Sequence, residues 1–262
     1  MSASSKQGFT LLELAIVLTI IGLIAAGITA GSSLINAAER RAVITDVAQY
    51  TAAVEAFETK YEALPGDMYN ATYVWGEAHT TPATCETTIT NDARTCNGNG
   101  DNKIGDTGEE YEMFRAWQQL ASAGFVEGRF TGRSTSSSDP DRAIAKTDAA
   151  NVPLSSMNNA GFTLRWVGST TADPYFDNSD YGHVIVFGTP TTNTITSGAI
   201  LTPEEAWSMD SKNDDGLPGT GKIRSYNNSA QADCANSDVT TTAEYETTIT
   251  TTECNLVFVT GF

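Results

Sequence analysis

The sequence predicts an α+β fold, a long N-terminal α-helix packed on a loop-rich antiparallel β-sheet head. Three observations carry that expectation. Residues Phe9 to Ala30 are almost all apolar; from Val43 apolar residues recur at helical spacing; and beyond residue 65 the chain turns to Gly, Thr, Ser, Asn and Asp, broken by short β-branched and aromatic runs.

The first run, GFTLLELAIVLTIIGLIAAGITAG from Gly8 to Gly31, contains one ionisable side chain, Glu13. Twenty-odd apolar residues rising about 1.5 Å each can cross a bilayer core of roughly 30 Å. A carboxylate in such a segment is costly unless something pairs with it. Cutting the chain between Gly8 and Phe9 would create an α-amino group one helical turn from Glu13, its best available partner. Val43, Val47, Tyr50, Val54, Phe57, Tyr61 and Leu64 then follow at alternating four- and three-residue steps, which makes one stripe, with Asp46, Glu55 and Glu58 off it. No proline precedes Pro65, so one helix is expected over 9–64, on the order of 80 Å long, ended by Pro65-Gly66.

In the remainder, 66–108 reads as loop and 109–123 as a second helix, with Tyr111, Phe114, Trp117, Leu120 and Ala121 on one face and Gly124 as the stop. The polar stretch 130–159 reads as an exposed excursion. Strands are expected at 162–167, 183–187, 222–226 and 256–260. Thr202-Pro203-Glu204-Glu205 reads as a capping box with proline at the first helical position, opening a short helix to Met209. Trp75, Trp117, Trp166 and Trp207 read as core or interface residues rather than a ligand cage.

Length and charge bound the function. The 262 residues suffice for the helix and a separate globular core over 65–262. A net charge of -17, from 32 acidic against 15 basic residues, argues against nucleic-acid binding by the head as a whole, because phosphate contacts need basic surface. It suits an exported, cation-binding surface. His79 and His183 stand alone, without a Ser/His/Asp or Cys/His pattern, and no Gly-rich phosphate loop follows a strand, so the chain does not read as an enzyme.

The four cysteines, Cys85, Cys96, Cys234 and Cys254, allow three connectivities; chain order favours Cys85–Cys96 and Cys234–Cys254, each closing a short polar loop. Neither pair has zinc-site spacing. Two acidic loops could hold a hard cation. In CNGNGDNKIGDTGEE the side chains of Asn97, Asn99 and Asp101 alternate and the carbonyls of Lys103 and Ile104 follow, in EF-hand-like order for Ca²⁺. Asn102 stands where glycine is usual and Gly108 where glutamate is usual, so Asp106, Glu109 or Glu112 would complete the shell. The same residues also read as an Asn/Gly-rich turn. Asp210, Asn213, Asp214 and Asp215 offer further oxygen ligands, with a structural turn as the favoured reading.

A short polar leader ending in Gly8, then Phe9-Thr10-Leu11-Leu12-Glu13 running into an apolar helix, resembles the prepilin signal of the type IV pilin and type II secretion pseudopilin superfamily. The resemblance covers roughly residues 1–35. It implies a pilin-like lollipop: a leader over 1–8, a transmembrane and filament-core helix over 9–35, its amphipathic half over 36–64 and a head over 65–262. It further implies cleavage after Gly8 by a prepilin peptidase, N-methylation of Phe9, and pairing of Glu13 with the N-terminal amine of a neighbouring subunit. One departure is Ala30-Gly31, where many pilins carry a helix-kinking proline. The Cys234–Cys254 loop lies near the C-terminus, as the disulfide-bounded loop of many pilins does. Calcium in some pseudopilin heads makes either acidic loop plausible by analogy.

The leader MSASSKQG lacks the apolar core of a secretory signal, and its Lys6 suits a cytoplasmic N-terminus. Arg40 and Arg41 follow the apolar run, so orientation rests on the resemblance. The expected protein is a single-pass inner-membrane precursor with a periplasmic head, taken up through an inner-membrane assembly platform. It then self-associates or co-assembles with other pilins in a surface filament serving adhesion, motility or DNA uptake. A type II secretion pseudopilin or a filament-tip adhesin is the alternative.

Overall fold

The computed structural model describes residues 10–78, 94–105, 112–132, 152–157, 160–168, 181–189, 195–226, 233–237 and 239–262. Two compact units emerge, Met1–Arg41 and Ala42–Phe262. Helix α1, Leu11–Tyr61, contributes to both. In the first unit its large apolar side chains stand exposed, Leu11 by 88% and Leu23 by 75%. The helix runs unbroken through Gly22, Gly27 and Gly31, where an added Cβ would meet nothing.

In the second unit the stripe on α1 becomes core. Val43, Val47, Val54, Phe57 and Leu64 are buried, and Tyr50 and Tyr61 pack against the same cluster. The helix stops at Tyr61, earlier than the expected Pro65-Gly66. Glu62 takes a left-handed φ of 54°, and its N–H donates to the Glu58 carbonyl at 2.8 Å. That turn folds Leu64 and Met68 back into the core, and Pro65, which has no N–H to offer the Tyr61 carbonyl, cannot continue the helix. The segment expected as plain loop contains one short helix, α2, Ala71–Trp75.

Helix α3 spans Glu112–Ser122. Its end is a Schellman motif: the Phe125 N–H donates to the Leu120 carbonyl at 3.0 Å and the Gly124 N–H to the Ala121 carbonyl at 3.0 Å, with Gly124 at φ 80°. The expected single apolar face understates its burial. Every residue from Glu112 to Leu120 is buried, including Arg115, Gln118 and Gln119, because polar groups line the side away from the aromatic core, where Gln119 Oε1 accepts the Gly66 N–H and the Arg115 guanidinium donates to Gln118. The Tyr50 ring meets Trp117 edge-on at 5.0 Å and Phe162 at 5.2 Å, joining α1, α3 and the sheet.

The sheet is fully antiparallel, in order β1-β2-β4-β3, with β1 Gly161–Val167, β2 Gly182–Gly188, β3 Ile223–Ser225 and β4 Leu256–Val259. β1 and β2 pair along their whole length, Gly161 opposite Gly188 through Val167 opposite Gly182. Period two sorts the side chains. Phe162, Leu164, Ile185, Phe187, Leu256 and Phe258 face α1 and α3, while Val184, Val186 and Val257 form a second cluster with Tyr181 and Tyr226 on the other face. Fully burying each large apolar side chain contributes about 1.5–3 kcal/mol.

Helix α4, Pro203–Asn213, opens with the expected capping box: the Glu205 N–H donates to Thr202 Oγ1 at 3.3 Å and the Thr202 N–H to Glu205 Oε2 at 3.1 Å. It runs one turn beyond Met209, since nothing breaks the helix before Asp214 and the Asp210 side chain finds a buried partner. Phe130, Val152 and Pro153, at the edges of the stretch expected as an exposed excursion, are buried. Of the tryptophans expected in the core or an interface, Trp117 is fully buried and Trp207 is 46% exposed.

Candidate functional site

At the head of α1, Thr10-Leu11-Leu12-Glu13 closes a second capping box. The Thr10 N–H and Oγ1 both donate to Glu13 Oε2 at 2.8 Å, and the Glu13 N–H donates back to Thr10 Oγ1 at 3.2 Å. The first turn of a helix leaves its N–H groups without partners and favours negative charge there, so the carboxylate is held at the helix mouth. The Thr-x-x-Glu spacing was the signal for this box, obscured by the surrounding apolar run. Gly8 and Phe9 lie outside the described residues.

The first acidic loop is built around a residue that sequence reasoning missed. Asp67, buried in the turn after α1, accepts the N–H groups of Gly100 at 2.6 Å and Asp101 at 3.0 Å on Oδ1, and of Asn102 at 2.9 Å on Oδ2. Glu112, buried at the start of α3, accepts the Asn99 N–H at 3.1 Å and the Gly105 N–H at 3.2 Å. Asp67, Asp101 and Glu112 each bring a carboxylate oxygen within 4.8 Å of the others. Such a trio could hold a cation. Burial pushes the Asp67 carboxyl above its ordinary range, opposed by its three N–H donors.

The alternating residues are placed differently from one another. Asn97 Oδ1 accepts the Thr72 N–H at 2.9 Å, Asn99 Oδ1 the Asp101 N–H at 2.9 Å, and Asp101 Oδ1 the Lys103 N–H at 3.0 Å. The Lys103 ammonium sits 4.4 Å over the Trp166 ring. Asn102 adopts φ 62°, the left-handed turn for which glycine is usual at that position and which asparagine tolerates. Gly98 lies so close to the Asp67 backbone that a Cβ would stand 2.4 Å from its Cα. Asp106 and Glu109 lie outside the described residues.

The second acidic loop also converges: Asp210, Asp214 and Asp215 have carboxylate oxygens within 4.8 Å of one another and could hold a cation. Their oxygens organise the turn after α4. Asp210 Oδ1 accepts the Gly216 N–H at 3.0 Å; Asp214 Oδ2 accepts the N–H groups of Lys222 and, at 2.9 Å, Ile223; Asp215 accepts the Leu217 N–H at 2.9 Å and the Thr220 hydroxyl at 2.6 Å. Asn213 instead donates its amide to the Met209 carbonyl at 2.6 Å.

Cys234 and Cys254 form a disulfide with Cα atoms 5.1 Å apart. Leu201 exchanges both backbone hydrogen bonds with Cys254, at 2.9 Å each, which fixes the loop base beside α4. Cys96 is also disulfide-bonded; its expected partner Cys85 lies outside the described residues. His183 is buried in β2, with Nδ1 3.1 Å from the Phe262 backbone oxygen, and burial lowers its pKa. His79 is outside the described residues.

Residues 3–29 match the prokaryotic N-terminal methylation motif. The chain therefore carries the type IV pilin and pseudopilin signature on the same segment that forms the exposed apolar half of α1. That signature and the apolar helix fit a membrane-anchored, pilin- or pseudopilin-like precursor that ends up in a filament, and the signature points to a structural subunit. No curated protein and no solved structure shows significant similarity to the chain.

Proposed function

We propose that this chain is a structural subunit of a type IV pilus. The match of residues 3–29 to the methylation motif carries the proposal. Prepilin peptidase removes residues 1–8 after Gly8 and Phe9 is N-methylated. Residues 9–35 anchor the precursor in the inner membrane, 36–64 lead into the head, and the head over 65–262 stands in the periplasm. The assembly platform then moves the helix from lipid into a filament of like or related subunits. Glu13 neutralises the Phe9 amine of a neighbour in a low-dielectric core, where an unpaired charge is costly.

Within this proposal Asp67, Asp101 and Glu112 hold a Ca²⁺ ion that steadies the head. Their convergence and the left-handed turn at Asn102 support it.

Intact mass and N-terminal sequencing of protein from sheared surface filaments test the central proposal. An abundant chain beginning with N-methyl-Phe9 is expected. The processed chain in trace amounts would favour a minor pilin, a tip adhesin or a secretion pseudopilin. An uncleaved Met1 chain confined to the inner membrane, in cells with active prepilin peptidase, would overturn it.

A further inference from the structure

Helix α4 and the Cys234–Cys254 loop together line an open groove of about 510 Å³. Glu204 and Trp207 come from α4, Gly216 from the turn after it, and Glu244, Tyr245 and Thr247 from the loop. The chemistry of this lining is one-sided. No lysine or arginine contributes to it, and neither Glu204 nor Glu244 has an ion-pair partner among the described residues. Two other rings are covered by the protein's own cations: Lys103 lies 4.4 Å over Trp166 and Arg224 lies 4.5 Å over Tyr181. Trp207 has no such cover among the described residues and keeps 46% of its surface exposed.

We propose that this groove binds a lysine side chain of a protein partner. A four-carbon stem lies along an indole while its ammonium reaches carboxylates beyond it, and an aromatic face attracts the same charge. The volume exceeds that of one side chain and is bounded by a helix on one side and a loop on the other, which suits a peptide segment rather than a free amine. Net charge of the opposite sign on the partner would speed the encounter. The inference does not depend on the pilus proposal, since it uses residues of the head alone.

Calorimetric titration of the full chain in detergent micelles tests it, with a glycine-flanked dilysine peptide against its norleucine counterpart. Binding of the lysine peptide alone is expected. Trp207→Ala, Glu204→Gln and Glu244→Gln should each weaken it by about two- to fivefold, the range for one exposed cation–π or ion-pair contact. Glu55→Gln with Glu58→Gln, exposed acids on α1, should leave affinity unchanged. Equal weakening by that control would reduce the effect to bulk charge and overturn the proposal. So would equal binding of the norleucine peptide, or no binding by either. Spermidine binding as tightly as the peptide would make the occupant a free polyamine and also overturn it. Unchanged far-UV circular dichroism of the variants separates lost binding from lost folding.

Discussion

Tyr245 donates its hydroxyl proton to Asp210 Oδ2 at 2.9 Å, with both residues buried. This bond ties the disulfide-closed loop to α4 across 35 residues of sequence. Removing the hydroxyl leaves a buried carboxylate oxygen without a donor, at a cost of about 1–3 kcal/mol. Tyr245→Phe should lower the unfolding free energy from chemical denaturation by that amount, whereas a surface change such as Thr247→Ala should leave it unmoved.

The same pair makes stability pH-dependent. Burial pushes the Asp210 carboxyl up to about 7, against the lowering donors Gly216 N–H and Tyr245 hydroxyl and with Asp215 and Asp214 raising it further. The folded state therefore binds this proton more tightly than the unfolded chain, whose carboxyl titrates near about 3.9. The contribution is fully present below that unfolded value and is lost as pH rises to about 7. In chelator, thermal unfolding should occur at lower temperature at pH 8 than at pH 5. Asp210→Asn should flatten the difference, because a neutral amide can accept from Gly216 while donating to the Tyr245 oxygen.

Gly98 approaches Asp67 too closely for any side chain. Gly98→Ala should cost on the order of 1–3 kcal/mol, the range for overpacking. Chemical denaturation measures it, and a midpoint equal to wild type would contradict the observed approach.

Calcium should raise the melting temperature of the full chain in micelles by a few degrees at about 1 mM, within the range of extracellular calcium modules. Asp101→Asn removes charge from an exposed ligand without disturbing the buried Asp67 and Glu112, and should abolish the shift. A shift that persists in Asp101→Asn, or none in wild type, would remove the first loop as the calcium site.

At the N-terminus, Glu13→Ala should leave leader cleavage largely intact and reduce incorporation into filaments. Normal filament numbers from that variant would sink the assigned role. Thr10→Val removes the hydroxyl from both side-chain hydrogen bonds of the capping box but keeps the Thr10 N–H bond to Glu13. It should give an intermediate yield by quantitative blotting of sheared filaments.

Much of the chain could be read from sequence because the determining interactions are local. The apolar half of helix α1, with Glu13 as its single acid, needs only twenty-odd consecutive residues and their partition between water and lipid. The caps at Thr202 and Glu205, the stop at Gly124 and the four strands follow from spacings of a few residues. The acidic loop was legible only in part. Asp101 and Glu112 stood within reach in sequence, but Asp67 sits 34 residues before Asp101 and meets it only when the turn after α1 folds against the loop. Nothing in Pro65-Gly66-Asp67 alone distinguishes a buried anchor from an exposed turn.

From sequence alone came the methylation motif, the long apolar helix, the stripe that enters the core and the class of fold, each encoded in short-range pattern. Tertiary structure alone decided which carboxylates converge, which tryptophan stays in solvent and what holds the C-terminal loop. Those outcomes depend on distant segments competing for the same buried space, and a one-dimensional pattern does not record that competition.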